Sequence, residues 1–154
     1  MTPAVLAARK AGIPFELLSY DHDPKAESYG LEAAEALGLA PASVYKTLVA
    51  AVDGALAVAL VPVDRTLDLK ALADALGARR AELAAADAAQ RATGYVLGGI
   101  SPLGQRKRLP TVVHADALQL PTIHVSAGRR GLELALDPAD LVRLTGARTA
   151  AIAR

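Results

Sequence analysis

The sequence has no cysteine. That absence excludes disulfides, a thiol nucleophile on the protein and cysteine-based zinc sites, and it leaves the redox compartment undetermined. There is no tryptophan, one Phe and four Tyr, so aromatics make up 3% of 154 residues. The core must therefore be built from Leu, Val, Ile and Ala, and stacking along a long single strand is not a workable binding mode. A surplus of one charge is also missing: 17 Lys and Arg stand against 16 Asp and Glu, a net charge of +1. Any nucleic-acid site has to be a local patch. The longest apolar run, around Ala55–Val63, is roughly half of what a membrane-spanning helix needs. The opening stretch MTPAVLAARKAGIP reaches Arg9 and Lys10 too early for a signal peptide. These points lead to the expectation of a soluble, cytoplasmic protein. Several motifs are missing as well. No H-x-x-x-H or H-E-x-x-H spacing supports a metal site, and no G-x-x-x-x-G-K-[ST] supports a phosphate loop. No G-x-S-x-G elbow marks a nucleophilic serine. No convergent pair of carboxylates stands out.

What is present is a globular composition, 53% hydrophobic and 21% charged, in a length that suits one domain over residues 1–154. Thr2-Pro3 starts a helix that Gly12 ends. Residues 15–20 read as a strand, and Leu31–Leu37 as a helix stopped by Gly38. Val44–Val52 and Leu56–Val63 are apolar runs joined by Asp53-Gly54, a strong hairpin signal. Neither run alternates cleanly, so both faces of the hairpin should be covered. Asp68–Leu76 is a helix. Ala81–Ala86 is a short strand, and Asp87 caps a helix running to Ala92. Thr111–His114, Thr122–Ser126 and Leu132–Leu136 read as strands. Asp137-Pro138 opens a last helix that Gly146 ends, and Thr149–Ile152 adds a final strand. The pattern predicts an α/β protein of the α+β type. Its sheet is mixed, mostly antiparallel and curled or closed into a barrel, with helices outside.

The least core-like stretch is 93–110, TGYVLGGISPLGQRKRLP. Gly94, Gly98, Gly99 and Gly104 let the backbone turn and come close to a ligand. The basic run Arg106, Lys107, Arg108 follows. Bare peptide groups beside cations suit a carbonyl- or phosphate-bearing substrate; a solvated hairpin loop is the other reading. Lys46 falls on an otherwise apolar strand face with Val44, Leu48, Ala50 and Val52. It is either a lysine snorkelling to an edge or a cation held at a pocket for a phosphate or oxyanion. Ser126 precedes the basic turn Gly128-Arg129-Arg130-Gly131 and is either a turn residue or a ligand contact. His22 lies between Asp21 and Asp23, which would favour its charged form. His114 and His124 sit in strand-like segments and read as structural. If Arg106–Arg108 and Arg129–Arg130 meet in space, they make a positive patch for a nucleic-acid backbone.

Together these residues resemble the YbaK/EbsC family of aminoacyl-tRNA deacylases, in particular the Cys-tRNA(Pro) deacylases. The likeness runs over nearly the whole chain. It rests on MTPAV, Tyr20-Asp21-His22-Asp23-Pro24, Val44-Tyr45-Lys46-Thr47-Leu48, Leu67-Asp68-Leu69-Lys70 and Gln90-Arg91-Ala92-Thr93-Gly94-Tyr95. Most specific is Gly98-Gly99-Ile100-Ser101-Pro102-Leu103-Gly104-Gln105. The resemblance implies a curled mixed sheet with helices around it. It also implies trans-editing, the hydrolysis of a mischarged tRNA ester without metal or cofactor. Lys46 matches the family's essential lysine. Gly98, Gly99, Ile100, Ser101 and Pro102 match the pocket-lining G-x-x-x-P loop. Tyr20, Tyr29, Thr47 and Ser126 match pocket positions, with Tyr29 in place of the more usual Phe. Glu133 stands where relatives often carry Asp, and Ala127 where they often carry Gly.

In such enzymes the cysteinyl thiol attacks its own ester, so no protein nucleophile is needed. The resemblance further implies that the Gly98 carbonyl holds the substrate amino group, and that Lys46 holds the ribose–phosphate end. Arg106, Lys107, Arg108, Arg129 and Arg130 would lie on the tRNA side, with prolyl-tRNA synthetase as a partner. Two alternatives stand beside this reading. One is a deacylase of the same fold for Ala- or Ser-charged tRNA that uses water. The other is a non-catalytic tRNA- or synthetase-binding module.

Overall fold

The computed structural model describes residues 1–154. Helix α1, Pro3–Ala11, starts where Thr2 Oγ1 accepts the Val5 N–H and stops at Gly12. Strand β1 is Phe15–Ser19. Helix α2, Tyr29–Leu37, begins two residues before the sequence expectation because Ser28 caps it, accepting the Leu31 N–H at 3.3 Å. Strands β2, Tyr45–Val52, and β3, Ala55–Pro62, form the expected hairpin. Its two linking residues, Asp53 and Gly54, have φ of 48° and 83°. Two successive positive φ values give the turn whose twist matches that of the strands, which is why Asp-Gly serves there. The Asp53 carboxylate also accepts the N–H groups of Arg79 and Arg80, tying the turn to the segment beyond α3, Leu69–Ala75.

Strand β4 is Ala81–Leu83. Helix α4, Ala86–Thr93, follows Ala85. Asp87 does not cap it, contrary to the sequence reading; it sits in the first turn and pairs with Arg91 one turn on. Strand β5 is Thr111–His114, and an unanticipated 3-10 turn occupies Ala115–Gln119. Strand β6, Ile123–Arg129, outruns the expected Ser126 end by way of a bulge between Ser126 and Arg129. Strand β7 is Leu132–Leu136, helix α5 is Pro138–Thr145, and β8 is Arg148–Ala150.

The strands form two sheets. One has three strands in the order β1-β7-β6 and the other five in the order β4-β2-β3-β5-β8. Four pairings are antiparallel, β1–β7, β6–β7, β2–β3 and β2–β4. The β3–β5 and β5–β8 pairings are parallel. A bridge between Val44 and His124 joins the two sheets at one corner. The mixed, mostly antiparallel architecture with outer helices is the one expected, but it remains two sheets and does not close.

Alternation along β2 and β3 divides the interior. Tyr45, Val49, Val58 and Leu60 face the main core, with Val5, Ile123, Val125 and Leu134. Ala50, Val52, Ala57, Ala59 and Val61 face a second core against Leu72 and Ile152. Both faces of the hairpin are thus covered, which explains its lack of polar alternation. Lys46 lies on the second face, near its end. There Val44 packs with Ala34 of α2 and Val63.

Candidate active site

Where the two sheets meet, a cavity of about 320 Å³ opens. The N-terminal end of α2 supplies Tyr29 and Gly30, and the start of β2 supplies Val44 through Leu48. The glycine loop adds Leu97, Gly98 and Ile100, and the small sheet adds Ser126 and Glu133. Lys46, Thr47, Tyr29, Gly98, Ile100, Ser126 and Glu133, scattered over about 100 positions of sequence, therefore converge on one space.

Lys46 is half-buried, takes part in none of the ion pairs of the molecule, and has its pKa lowered by burial while Asp64 opposes the shift. Three buried polar atoms on the cavity residues lack a hydrogen-bond partner: Tyr45 Oη, Thr47 Oγ1 and Glu133 Oε2. Buried polar groups are ordinarily paired. The Tyr45 phenol lies towards Asp116, Arg65 and Asp64, none of which lines the cavity, whereas Thr47 and Glu133 carry their unpaired oxygens in the cavity wall. Burial pushes the Glu133 carboxyl up to about 8 and the Tyr45 phenol up to about 12. Ser126 and Glu133 face each other across β6 and β7. The Ser126 hydroxyl accepts the Gly128 N–H at 3.2 Å, and no histidine lines the cavity. No base is therefore placed to activate that serine.

Gly98 has φ 82°, and a β-carbon there would fall 2.7 Å from the Tyr29 ring. Glycine is required by both the backbone conformation and the ring beside it. The same ring lies 4.7 Å from the Arg130 guanidinium, and Arg130 Nε donates to the Leu97 carbonyl at 2.9 Å. Tyr29, the glycine loop and the 130 turn thus form one wall.

Not every residue singled out in the sequence lines the space. Tyr20 stands behind it, its phenol raised by burial first and then by the charge of Glu133. Gly99 packs against the Arg129 backbone, and Gly104 against the Pro3 carbonyl of α1. Ser101 is fully buried; its hydroxyl accepts the Leu103 N–H, and its carbonyl accepts from Gln105 Nε2. Most of the loop's glycines serve chain-to-chain packing, and Gly98 alone among them borders the cavity. Pro102, Lys107 and Arg108 line a separate hollow of about 270 Å³ with Leu144 and Thr145 of α5. Arg106 is exposed beside Gly94. Arg129 and Arg130 are both exposed, and Arg130 lies over the Tyr29 ring at the wall of the main cavity.

The histidines are engaged elsewhere. His114 Nδ1 accepts the N–H groups of Ile152 and Ala153, and His124 lies against Ser43. His22 pairs with Glu32 at 2.7 Å rather than with Asp21 or Asp23. The pocket-edge residue Glu27 carries no signal in the sequence. Tyr45 belongs to the Val44–Leu48 motif, but alternation along β2 turns its side chain into the main core. No group of three or more His, Asp or Glu side chains gathers as a metal site, and no helix is long and apolar enough to cross a membrane.

The α+β fold thus carries a cavity with a half-buried cation, a glycine backbone and unpaired polar atoms in its wall. The comparison with known proteins narrows this. Residues 23–144 match the aminoacyl-tRNA editing domain, and the chain belongs to that family. It is 38% identical over 120 residues to EbsC of Enterococcus faecalis, a candidate Cys-tRNA(Pro)/Cys-tRNA(Cys) deacylase, covering 77% of this chain and 73% of EbsC. Among solved structures it resembles the hypothetical protein APE2540 with a TM-score of 0.88 at 25% identity, over 99% of each chain. It also resembles a candidate trans-editing enzyme for prolyl tRNA synthetase, with a TM-score of 0.86 at 23% identity, over 100% of this chain and 99% of that one. At that identity the second likeness speaks for the fold.

Proposed function

We propose that this protein is a trans-editing deacylase that removes cysteine from mischarged tRNA(Pro). The observation that carries the reading is the cavity itself. It joins Lys46, the Gly98 backbone and, in its wall, the unpaired oxygens of Thr47 and Glu133, and it contains no activated protein nucleophile. Such a site suits a substrate that brings its own nucleophile. In the reaction, the cysteinyl sulfur forms a bond to its own ester carbonyl carbon. The bond from that carbon to the ribose oxygen breaks, and the thiol proton passes to the departing ribose hydroxyl. The products are free tRNA and a cyclic thiolactone. The protein's contribution is to hold thiol and carbonyl in reacting geometry and to stabilise the oxyanion that develops. Lys46 is the cation for the ribose–phosphate end or the oxyanion, and Gly98 supplies peptide groups to the amino-acid side. The similarity to EbsC supports the choice of Cys-tRNA(Pro).

The tRNA approaches from the side of Arg129 and Arg130 rather than over the acidic hollow beside α2. Asp21, Asp23, Glu27, Glu32 and Glu35 line the hollow beside α2. A phosphate backbone is attracted to the first side and repelled by the second. Arg106–Arg108 extend the basic surface for the acceptor stem. Prolyl-tRNA synthetase is the partner that presents the mischarged tRNA, and the enzyme works beside it in the cytoplasm.

The direct test is release of cysteine from Cys-tRNA(Pro) by the wild type and by Lys46→Ala. Release by the wild type and its loss in the variant are expected. Salt-dependent tRNA binding without any release would replace this reading with that of a binding module.

A further inference from the structure

Strand β6 leaves its ladder beside the cavity. Ser126 pairs with Glu133 and Arg129 with Leu132, so Ala127 and Gly128 stand in the bulge without partners on β7. β6 is an edge strand of its sheet. A bulge re-aims side chains and interrupts pairing, and it leaves backbone groups to be satisfied by something else. Here that partner comes from the other end of the chain. Thr2 Oγ1, at the start of α1, donates to the carbonyl of the fully buried Ala127, 125 positions away. The same oxygen accepts the Val5 N–H at 3.2 Å. One hydroxyl thus caps the helix and satisfies the bulge.

The contact extends to both sides. A β-carbon on Gly128 would fall 2.9 Å from Thr2 Cβ and 2.9 Å from Cε1 of Tyr95, so the bulge rests directly on both side chains. Tyr95 is buried, and its hydroxyl donates to the Leu103 carbonyl of the glycine loop at 2.6 Å. Gly104 of that loop lies against the Pro3 carbonyl, and Gly99 against the Arg129 backbone. The start of α1 therefore braces both the strand that carries Ser126 and the loop that carries Gly98. No residue of α1 itself lines the cavity.

Resting on the deacylase reading, we propose that Thr2 is a positioning residue: its hydroxyl holds the Ala127 bulge, and with it the placement of Ser126 against the Gly98 loop. Thiol and ester carbonyl react only when held in register, and a misplacement of about 1 Å can cost about 100-fold in rate. Capping and bracing can be separated chemically. A carboxylate at position 2 accepts the helix N–H as a hydroxyl does, but when ionised it has no proton to give the Ala127 carbonyl. Serine keeps both functions and loses only the methyl group.

The test compares the wild type, Thr2→Asp and Thr2→Ser in release of cysteine from Cys-tRNA(Pro), with amide hydrogen exchange measured on the same proteins. Thr2→Asp is expected to keep its circular dichroism spectrum and to lose about 10–100-fold in kcat, the scale of a small misplacement. Its KM should stay within about threefold, because the exposed cations that meet phosphate are untouched. Thr2→Ser should retain most of the wild-type kcat. Exchange in Thr2→Asp should quicken over Ile123–Arg129 and over Gly98–Gly104, and stay as in the wild type over Ala55–Pro62. Wild-type kcat in Thr2→Asp overturns the proposal, and so does a Thr2→Ser variant as slow as Thr2→Asp. Unchanged exchange around the bulge in Thr2→Asp overturns it too, whether or not cysteine is released. If the wild type releases no cysteine while exchange changes as expected, the deacylase reading falls and the brace stands.

Discussion

Substituting Gly98 by alanine tests the contact that shapes the cavity wall. Two costs are expected. The first is conformational, since a φ of 82° places a β-carbon in the left-handed region at about 1–2 kcal/mol. The second is steric. The added carbon would sit 2.7 Å from Cγ and Cδ2 of Tyr29, where ordinary contact needs about 3.5–4.0 Å. The ring must move by roughly 1 Å, at about 1–3 kcal/mol for an overpacked site. Gly54 supplies the control. Its φ is 83°, and nothing lies within 4 Å of its β-position, so Gly54→Ala carries the first cost only. For a chain of this length about 2–4 °C of Tm accompanies each kcal/mol. Gly98→Ala should therefore lose about 4–20 °C, and Gly54→Ala about 2–8 °C. Adding Tyr29→Ala to Gly98→Ala should recover the steric part. In a deacylation assay Gly98→Ala should fall at least tenfold while Gly54→Ala is unaffected, because only the first displaces the wall. Equal melting shifts with equal turnover would show that Tyr29 is not held against Gly98, and the described wall would be wrong.

Three further outcomes follow from the same geometry. Lys46→Ala should keep its circular dichroism spectrum and lose about 10²–10³ in kcat/KM, the scale of removing one stabiliser of developing charge. Lys46→Arg should not restore the rate, because a planar fork cannot replace a compact ammonium in a half-buried position. Removing Arg129 and Arg130, or Arg106, Lys107 and Arg108, should raise KM more than it lowers kcat. The salt slope should shrink by about one per lost phosphate contact, readable from kcat/KM between 50 and 200 mM salt. Glu133 also makes stability depend on pH. Its carboxyl titrates at about 8 when folded and near 4.5 otherwise, so the folded chain holds the extra proton between those values. Stability contributed by this group therefore falls as pH rises from 4.5 to 8. Urea unfolding should find Glu133→Gln close to the wild type at pH 4.5 and clearly more stable than it at pH 8.5.

Much of this was legible in the sequence because local chemistry decides it. Asp53-Gly54 specifies its turn, and Thr2-Pro3, Asp68 and Asp137 mark helix starts, since each satisfies a backbone group within its own neighbourhood. Asp87 misled because two positions compete at such a start. Its carboxylate paired with Arg91, leaving Ala85 at the cap with no side-chain bond. Lys46 was conspicuous as a charge on an apolar face, and it does line the cavity. The residues of the glycine loop fit either a ligand-facing surface or a solvated hairpin loop. Whether a glycine meets a ligand or another strand of chain depends on long-range packing, and Gly99 and Gly104 meet chain. Tyr45 Oη and Glu133 Oε2 were unreadable as unpaired atoms for the same reason. Only the joining of two sheets at Val44 and His124 decides what surrounds them.

The central claim is that this cavity edits cysteine from tRNA(Pro) with the substrate's own thiol as nucleophile. Its most direct test is a deacylation panel with tRNA(Pro) charged with Cys, Ala or Ser at equal enzyme concentration. Faster release of Cys than of Ser is expected, because the two differ only in the sulfur that attacks. Release of Ala or Ser at a rate matching or exceeding that of Cys would show that water attacks, and would contradict the account.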